Sequence, residues 1–441
     1  MLTDPRGLAV TAASAESVTR LEATIAAYCA FRKDTGDRLK ETLAADPQLV
    51  MGHILRGYFM LLLVKRELVA RARQAAEAAD AAIKALGATR REMLHRQALD
   101  AWIARDQTRA IEIFEAILVD HPRDILALKL AQYLLFYVGD GRRMRDTVAR
   151  AIASWDEALP CYGFAQGCHA FGLEECGDYE AAERAGRRAV ELIPEDIWGA
   201  HAVAHVFEMQ ERTAEGLSWI GALAPQWAAA NNFAFHVWWH RCLFLMKLRR
   251  YDEALARYDS EVRAESTDEH LDITNAVALL WRLEQAGVDV GKRWDELAAH
   301  SAARIEDHMT VFGDAHFAMA LAAAGGPGDF ARWQDSARGY AAGSHETQAA
   351  VMAEVGLALG EAARAHRHGD FARALDLLLP VRNAIQHIGG SHAQRDLFVQ
   401  LVIDSAVKSR RHEVARALLN ERLVARPGNA WALEEQRLIG A

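Results

Sequence analysis

The feature that most constrains this chain is a short motif that returns. In residues 163–196 the run Gly177-Asp178-Tyr179-Glu180-Ala181-Ala182 is followed by Ala189 and then by Pro194. A glycine-aspartate pair turns the chain and an aromatic follows. Small residues then stand where two helices must pack closely, and a proline arrives only once the helix has ended. Tyr251-Asp252-Glu253-Ala254 with Tyr258 repeats the pattern, as does Gly369-Asp370-Phe371-Ala372-Arg373-Ala374. Weaker copies are Ala110, Phe114 and Pro122, and Ala415 with Pro427. Several copies in one phase describe stacked helical units, each too small to bury its apolar face alone.

The rest of the chain agrees. From about Ser14 onward the pattern is helix, short break, helix, in roughly two dozen segments. The breaks fall at Gly36-Asp37, Gly87, Gly139-Asp140-Gly141, Gly177-Asp178 and Gly369-Asp370, with a looser turn over 324–329. Breaks this short make neighbouring helices antiparallel. Only 9 Pro and 30 Gly interrupt the 441 residues. Alternating Val-Ile-Thr runs are nearly absent, so a sheet has little to be built from. The motif is the second half of a tetratricopeptide repeat. The expected fold is all-α, a right-handed α-solenoid of tetratricopeptide-like helix pairs. It is read as one continuous array: N-terminal repeats over 1–130, central repeats carrying a His-rich groove over 131–325, and C-terminal repeats with a cap over 326–441.

Charge and cysteine usage remove several classes of function. The formal net charge is −9. The densest basic groups, Arg241 with Arg249-Arg250 and Lys408 with Arg410-Arg411, are not the long stripe that a phosphate backbone demands. Nucleic acid is not an expected partner. The five cysteines, Cys29, Cys161, Cys168, Cys176 and Cys242, are odd in number and form no CxxC pair. That fits a reducing compartment and argues against disulfides or a thiolate zinc site. Cys168 and His169 are adjacent, so on a helix they point about 100° apart and do not form a nucleophile pair. The N-terminus carries Asp4 and lacks the apolar run of a secretory signal. No stretch reaches the roughly 18 apolar residues of a membrane span. A cytoplasmic protein without a membrane partner is expected.

The 18 histidines are where chemistry is indicated. In His201-Ala-Val-Ala-His205-Val-Phe-Glu208 the polar groups stand at i, i+4 and i+7, one face of a helix. The repeat phase makes this the first helix of the next repeat, with its polar face on the groove side. His236-Val-Trp238-Trp239-His240 opens the following repeat in the same way. Asp314-Ala-His316, with His308 nearby, and Ser391-His392-Ala-Gln394-Arg395-Asp396 after Gly389-Gly390 are further candidates. Three readings follow. One is a metal site with His201, His205, Glu208 and His236 as ligands to a divalent ion and His316 or Asp314 behind them. HAVAH has Ala where a zinc protease needs its Glu base, so thermolysin-type chemistry is rejected. The second is metal-free acid/base work in a groove that Trp238 and Trp239 keep dry. The third is a buried polar network that only fixes helix register.

Longer blocks carry a family resemblance. HAVAHVFEMQ at 201–210, HVWWH with LRRYDEALARYD within 236–259, and LLWRLEQAGVDVGKRW at 279–294 resemble the tetratricopeptide repeat protein 38 family. So do DHMTVFGDAHFAMA at 307–320 and IGGSHAQRDLF at 388–398. The resemblance runs from about Tyr133 to Val424 and implies a helical-repeat protein of bacteria and animals with no generally established biochemical role. The matching blocks include His201, His205, Glu208, His236, His240, Asp314, His316, Gln394, Arg395 and Asp396. His392 departs, since animal members carry Asn there. Asp272 matches another acidic position and is assigned to the same groove on that ground.

The sequence-based expectation is therefore a small polar molecule or short peptide bound in one pocket. His201, His205, Glu208, His236 and His240 form its floor and Trp238 and Trp239 its apolar wall. Asp314, His316, Arg395 and Asp396 close it, with Arg395 as partner for a ligand carboxylate. The alternatives are an enzyme that uses the pocket for metal-assisted or acid/base hydrolysis, and a protein-interaction scaffold. Self-association through terminal repeats stays open.

Overall fold

In the computed structural model, which describes residues 2–440, the chain turns through a left-handed residue inside every helix pair. These residues are Phe31, Val64, Arg105, Gly139, Gly177, Glu211, Arg249, Gly287, Gly328, Gly369 and Arg410. The conformation is what a helix needs at the position after its end to satisfy its last carbonyls; Gly328 differs, standing as the cap before the second helix of its pair. In most of these turns the next residue's N–H bonds to the carbonyl five residues back. Examples are Asp140 to Leu135 at 3.0 Å, Asp178 to Leu173 at 3.0 Å, Arg212 to Phe207 at 2.9 Å and Arg411 to Ala406 at 3.0 Å. Where that residue is Asp106, Asp140 or Asp370, its side chain accepts the N–H three residues on and caps the second helix. Glycine takes left-handed φ without a Cβ clash, yet six of the eleven turns use another residue. A repeat can thus be present where no Gly-Asp marks it.

The small residues of the motif are where helices touch. Ala110, Ala182, Ala189, Ala254, Ala374 and Ala415 are all fully buried. A Cβ on Gly360 would come within 2.0 Å of the Trp333 ring. The expected break at Gly36-Asp37 is displaced: both residues lie inside the helix Thr35–Ala45, and the turn is Ala30–Asp34. The reason is Phe31, which takes φ 55° and stacks on Phe233 at 4.3 Å, so that aromatic packing fixes the turn rather than glycine. Strand structure among the described residues is one antiparallel pair of two-residue strands, Leu2–Thr3 with Ala9–Val10. The structure is all-α, an α-solenoid of helix pairs of the tetratricopeptide type. No described helix is long and apolar enough to cross a membrane, and all five cysteines are free.

The chain divides into two compact units. Unit 1 is Met1–Val203 with Leu223–Ala234, and unit 2 is Ala204–Ala222 with Phe235–Ala441. In unit 1 the segment Leu223–Ala234 zips onto the first turn. Arg32 and Ala230 form an antiparallel bridge, Lys33 N–H donates to Ala229 O at 3.0 Å and Asn231 N–H to Phe31 O at 2.7 Å. In unit 2 one continuous core includes Trp239, Trp281, Trp294 and Trp333. Its helical rod over 347–367 passes through one wider turn, Met352–Gly356, without breaking.

Candidate functional site

The helices Ile197–Met209 and Phe233–Lys247 carry the two histidine pairs. The sequence places these histidines on the floor of a groove; all four are buried. His201 belongs to unit 1. It stacks on Phe171 at 5.6 Å and meets Trp198 and Phe233 at 5.2 Å each, an aromatic enclosure. In the same unit Lys129 lies over the Trp198 ring at 3.9 Å. Burial lifts the Asp196 carboxyl to about 6.

The remaining histidines belong to unit 2 and converge. The His205 and His240 rings are 4.4 Å apart, and His236 and His240 4.9 Å. His236 Nδ1–H donates to Asn275 Oδ1 at 2.9 Å, which fixes the tautomer, and Trp239 stacks on the His236 ring at 5.3 Å. Burial lowers all three imidazoles. Burial takes His236 to about 4 against the opposing bond to Asn275. For His205, burial is joined by the charges of His236, His392, Arg395 and Arg426; for His240, by those of His205, His236, Arg282 and Lys247. The trio is neutral at pH 7. Beside it, Asn275 Nδ2 and Trp239 Nε1 are buried with no hydrogen-bond partner. Such groups cost about 1–3 kcal/mol each when nothing answers them.

Glu208 is held elsewhere on its helix. Lys247 Nζ lies 3.0 Å from its carboxylate and donates to its carbonyl at 2.8 Å. Arg282 is buried, donates to Ala278 O and Ala393 O, and sits over the Trp239 ring; burial brings it down to about 10. Trp238 is half-buried, with Arg241 over its ring, while Trp239 is fully buried. Asp272 accepts from Thr267 at 2.5 Å. His316 donates to Phe312 O at 2.7 Å, and burial takes it to about 3.

Asp314 pairs with His308 Nδ1 at 3.0 Å, and His308 Nε2 meets Ser336 Oγ at 2.9 Å. This has the connectivity of a nucleophile relay. However, Ser336 sits inside the helix Asp329–Gly343, where neighbouring N–H groups are already bonded along the helix and cannot form an oxyanion hole.

The Gly-Gly turn builds the last part of the site. Gly390 takes φ 81°, and a Cβ there would meet the Phe312 ring at 2.7 Å, so the position requires glycine. Ser391 then caps the helix His392–Lys408 in a reciprocal box with Gln394. This fixes the first turn that carries His392, Arg395 and Asp396. Arg395 donates to Gly390 O and lies 3.4 Å from His392 Nδ1. Asp396 is held by Arg422 at 2.5 and 3.0 Å, with Arg426 3.8 Å away. Burial would raise this carboxyl, but Arg422 and Arg426 keep it far below the usual range.

These groups open into a pocket of about 370 Å³, within the size range of small-ligand sites. Arg382, His392, Arg395, Asp396, Arg422 and Arg426, with Asn383, Gln386 and Glu421, supply its polar lining, and Val402, Ile403 and Leu418 part of its apolar side. Of the residues nominated from sequence, His392, Arg395 and Asp396 line it. Arg382, Arg422 and Arg426 were missed. The signal available for the last two was an i, i+4 arginine pair on the final repeat, which reads as an ordinary solvated face until Asp396 is placed beside it.

No protein-family model matches the chain. Among solved structures it is similar to the APC/C hetero-tetramer Cut9–Hcn1, at 12% identity over 96% of this chain and 74% of that one, with a TM-score of 0.43. It is also similar to the P58(IPK) TPR domain, at 12% identity over 79% and 87% with a TM-score of 0.23, and to Naa15/Naa10 bound to HypK-THB, at 13% over 95% and 64% with 0.26.

Proposed function

We propose that unit 2 binds a small anionic molecule, a carboxylate by preference, in the pocket headed by Arg395 and Arg426. The observation that carries this is the charge of the lining: four guanidinium groups, Arg382, Arg395, Arg422 and Arg426, against two carboxylates, Asp396 and Glu421. Asp396 is shared by Arg422 and Arg426. Planar guanidinium forks suit carboxylates geometrically, and the apolar side suits a ligand with a hydrocarbon body. A thermal-shift titration with acetate, succinate, citrate and inorganic phosphate tests it. At least one carboxylate should raise the melting temperature in proportion to its concentration, and Arg395→Ala should remove the effect. A flat response to all four at millimolar concentration would overturn the reading.

A second reading, a scaffold for a protein partner, is favoured by the last repeats. Val424, in the helix His412–Ala425, is 85% exposed, and Leu433 and Leu438, in the final helix, are 38% and 66% exposed. Exposed apolar side chains on the last two helices suit a protein contact. Here the carboxylate in the pocket would be a side chain or terminus of a peptide. An acidic peptide that binds at least tenfold more tightly than its free amino acids would select this reading.

A further inference from the structure

We propose that His205, His236 and His240 form a site for one divalent transition-metal ion, with zinc the best match to the donors. One ring nitrogen from each lies within 4.8 Å of the others, and all three side chains are buried in unit 2. His236 and His240 stand at i and i+4, so one helix face presents both; His205 comes from the helix before it.

The donor chemistry fits. Buried imidazoles are neutral and keep a lone pair, the form in which histidine ligates. Asn275 accepts the Nδ1 proton of His236 and so leaves Nε2 as its donor atom. A metal-bound histidine regularly has such an orienting partner. Trp239, stacked on the same ring, fixes its plane. Zinc–nitrogen bonds of about 2.0–2.1 Å in a tetrahedron hold nitrogens roughly 3.3 Å apart. At the upper limit of 4.8 Å the trio must close by about 1.5 Å. With the His236 ring held by Asn275 and Trp239, the proposal assigns that closure to side-chain rotation of His205 and His240.

Charge decides what else the ion needs. Lys247, Arg282, Arg395 and Arg426 act on this trio and oppose a dication. Glu208 and Glu211 engage Lys247, and Asp396 engages Arg426, which offsets part of that field. The remaining excess of positive charge means that the metal binds with an anion in its fourth position. Chloride or hydroxide suffices, so the site does not depend on the ligand proposed above.

Protein made without a metal-binding tag, stripped by chelator and dialysed into chloride buffer, is titrated with Co²⁺ and, separately, with Zn²⁺. The expected result is one ion per chain, with the intense visible bands of four-coordinate cobalt. His236→Asn and His240→Asn should abolish those bands. Asn275→Ala, which keeps all three ligands, should weaken binding by about 10–100-fold. Circular dichroism shows that each variant is folded. If a histidine variant does not fold, the wild-type spectrum and Asn275→Ala still decide. Folded wild-type protein that takes up neither ion in excess metal would overturn the site, as would cobalt bands unchanged in His240→Asn.

Discussion

His95 in unit 1 and His240 in unit 2 are both fully buried, yet they keep opposite company. His95 Nε2 is 3.0 Å from the Asp124 carboxylate, which also takes Arg91 at 2.7 Å, and Tyr58 donates to the His95 carbonyl at 2.6 Å. Burial would raise the Asp124 carboxyl, but the His95 and Arg91 charges hold it well below the usual range. His240 faces two other imidazoles, with Arg282 and Lys247 within electrostatic reach. A buried carboxylate answered by two donors is complete in itself and holds a fold together. Buried bases gathered with further bases are a cost to the fold, and such groupings mark functional sites. On the metal-site proposal, the contrast separates a structural histidine from one kept for binding, although both stand on helices that open a repeat.

The largest expected effect tests that contrast directly. His95→Phe takes from the buried Asp124 carboxylate the contact with His95 Nε2 and should destabilise by about 3 kcal/mol, the cost of leaving a buried charged group short of a donor. His240→Phe exchanges one planar ring for another of similar volume and should cost less, under about 1.5 kcal/mol. Urea denaturation of both variants measures this, and the reverse order would break the comparison.

Acid should sharpen it. The folded-state value of His236, about 4, and of His316, about 3, lie below the unfolded value near 6.5. The unfolded chain therefore binds more protons, and stability present above pH 6.5 is lost as pH falls toward 4. For His236 alone this is on the order of 3 kcal/mol. Asp124, depressed from its ordinary value, loses its contribution only below about pH 4. Hydrogen exchange at pH 5 should find unit 2 amides losing protection before those of unit 1.

Two capping boxes give a smaller test. Thr89 with Glu92 caps a helix of unit 1, and Ser391 with Gln394 the site helix of unit 2. Thr89→Ala and Ser391→Ala should each cost about 1 kcal/mol. Only Ser391→Ala should also weaken carboxylate binding, because it loosens the turn that holds Arg395.

The smallest effect concerns the turns. Arg410 is exposed at φ 60°. Arg410→Gly should relieve about 1–2 kcal/mol of left-handed strain and lose about half of that to unfolded-chain entropy. The result is a net gain near 0.5 kcal/mol, read from the urea midpoint.

The fold was legible because its rule is local. Gly177-Asp178 and Gly369-Asp370 announce the turn that the structure places there, and Ala182 and Ala374 announce the contact. Turns built on Phe31, Val64, Arg105 or Glu211 carry no such letter, since neighbouring packing sets their backbone. The site was legible only in part. His205, His236 and His240 advertise themselves through helical spacing, and Arg395 and Asp396 through the capped Gly-Gly turn. Arg382, Arg422 and Arg426 reach the pocket through tertiary packing of separate repeats, which spacing along one helix cannot report.

The division of the chain has a consequence for how this protein is made. Unit 1 takes Met1–Val203 and then Leu223–Ala234, with Ala204–Ala222 of unit 2 threaded between them. On the ribosome, the first unit stays unfinished until part of the second has already emerged. The Asn231–Phe31 and Lys33–Ala229 bonds close only then. A fragment ending at residue 203 lacks its own closing segment, so releasing either half intact takes recombination of pieces rather than one cut.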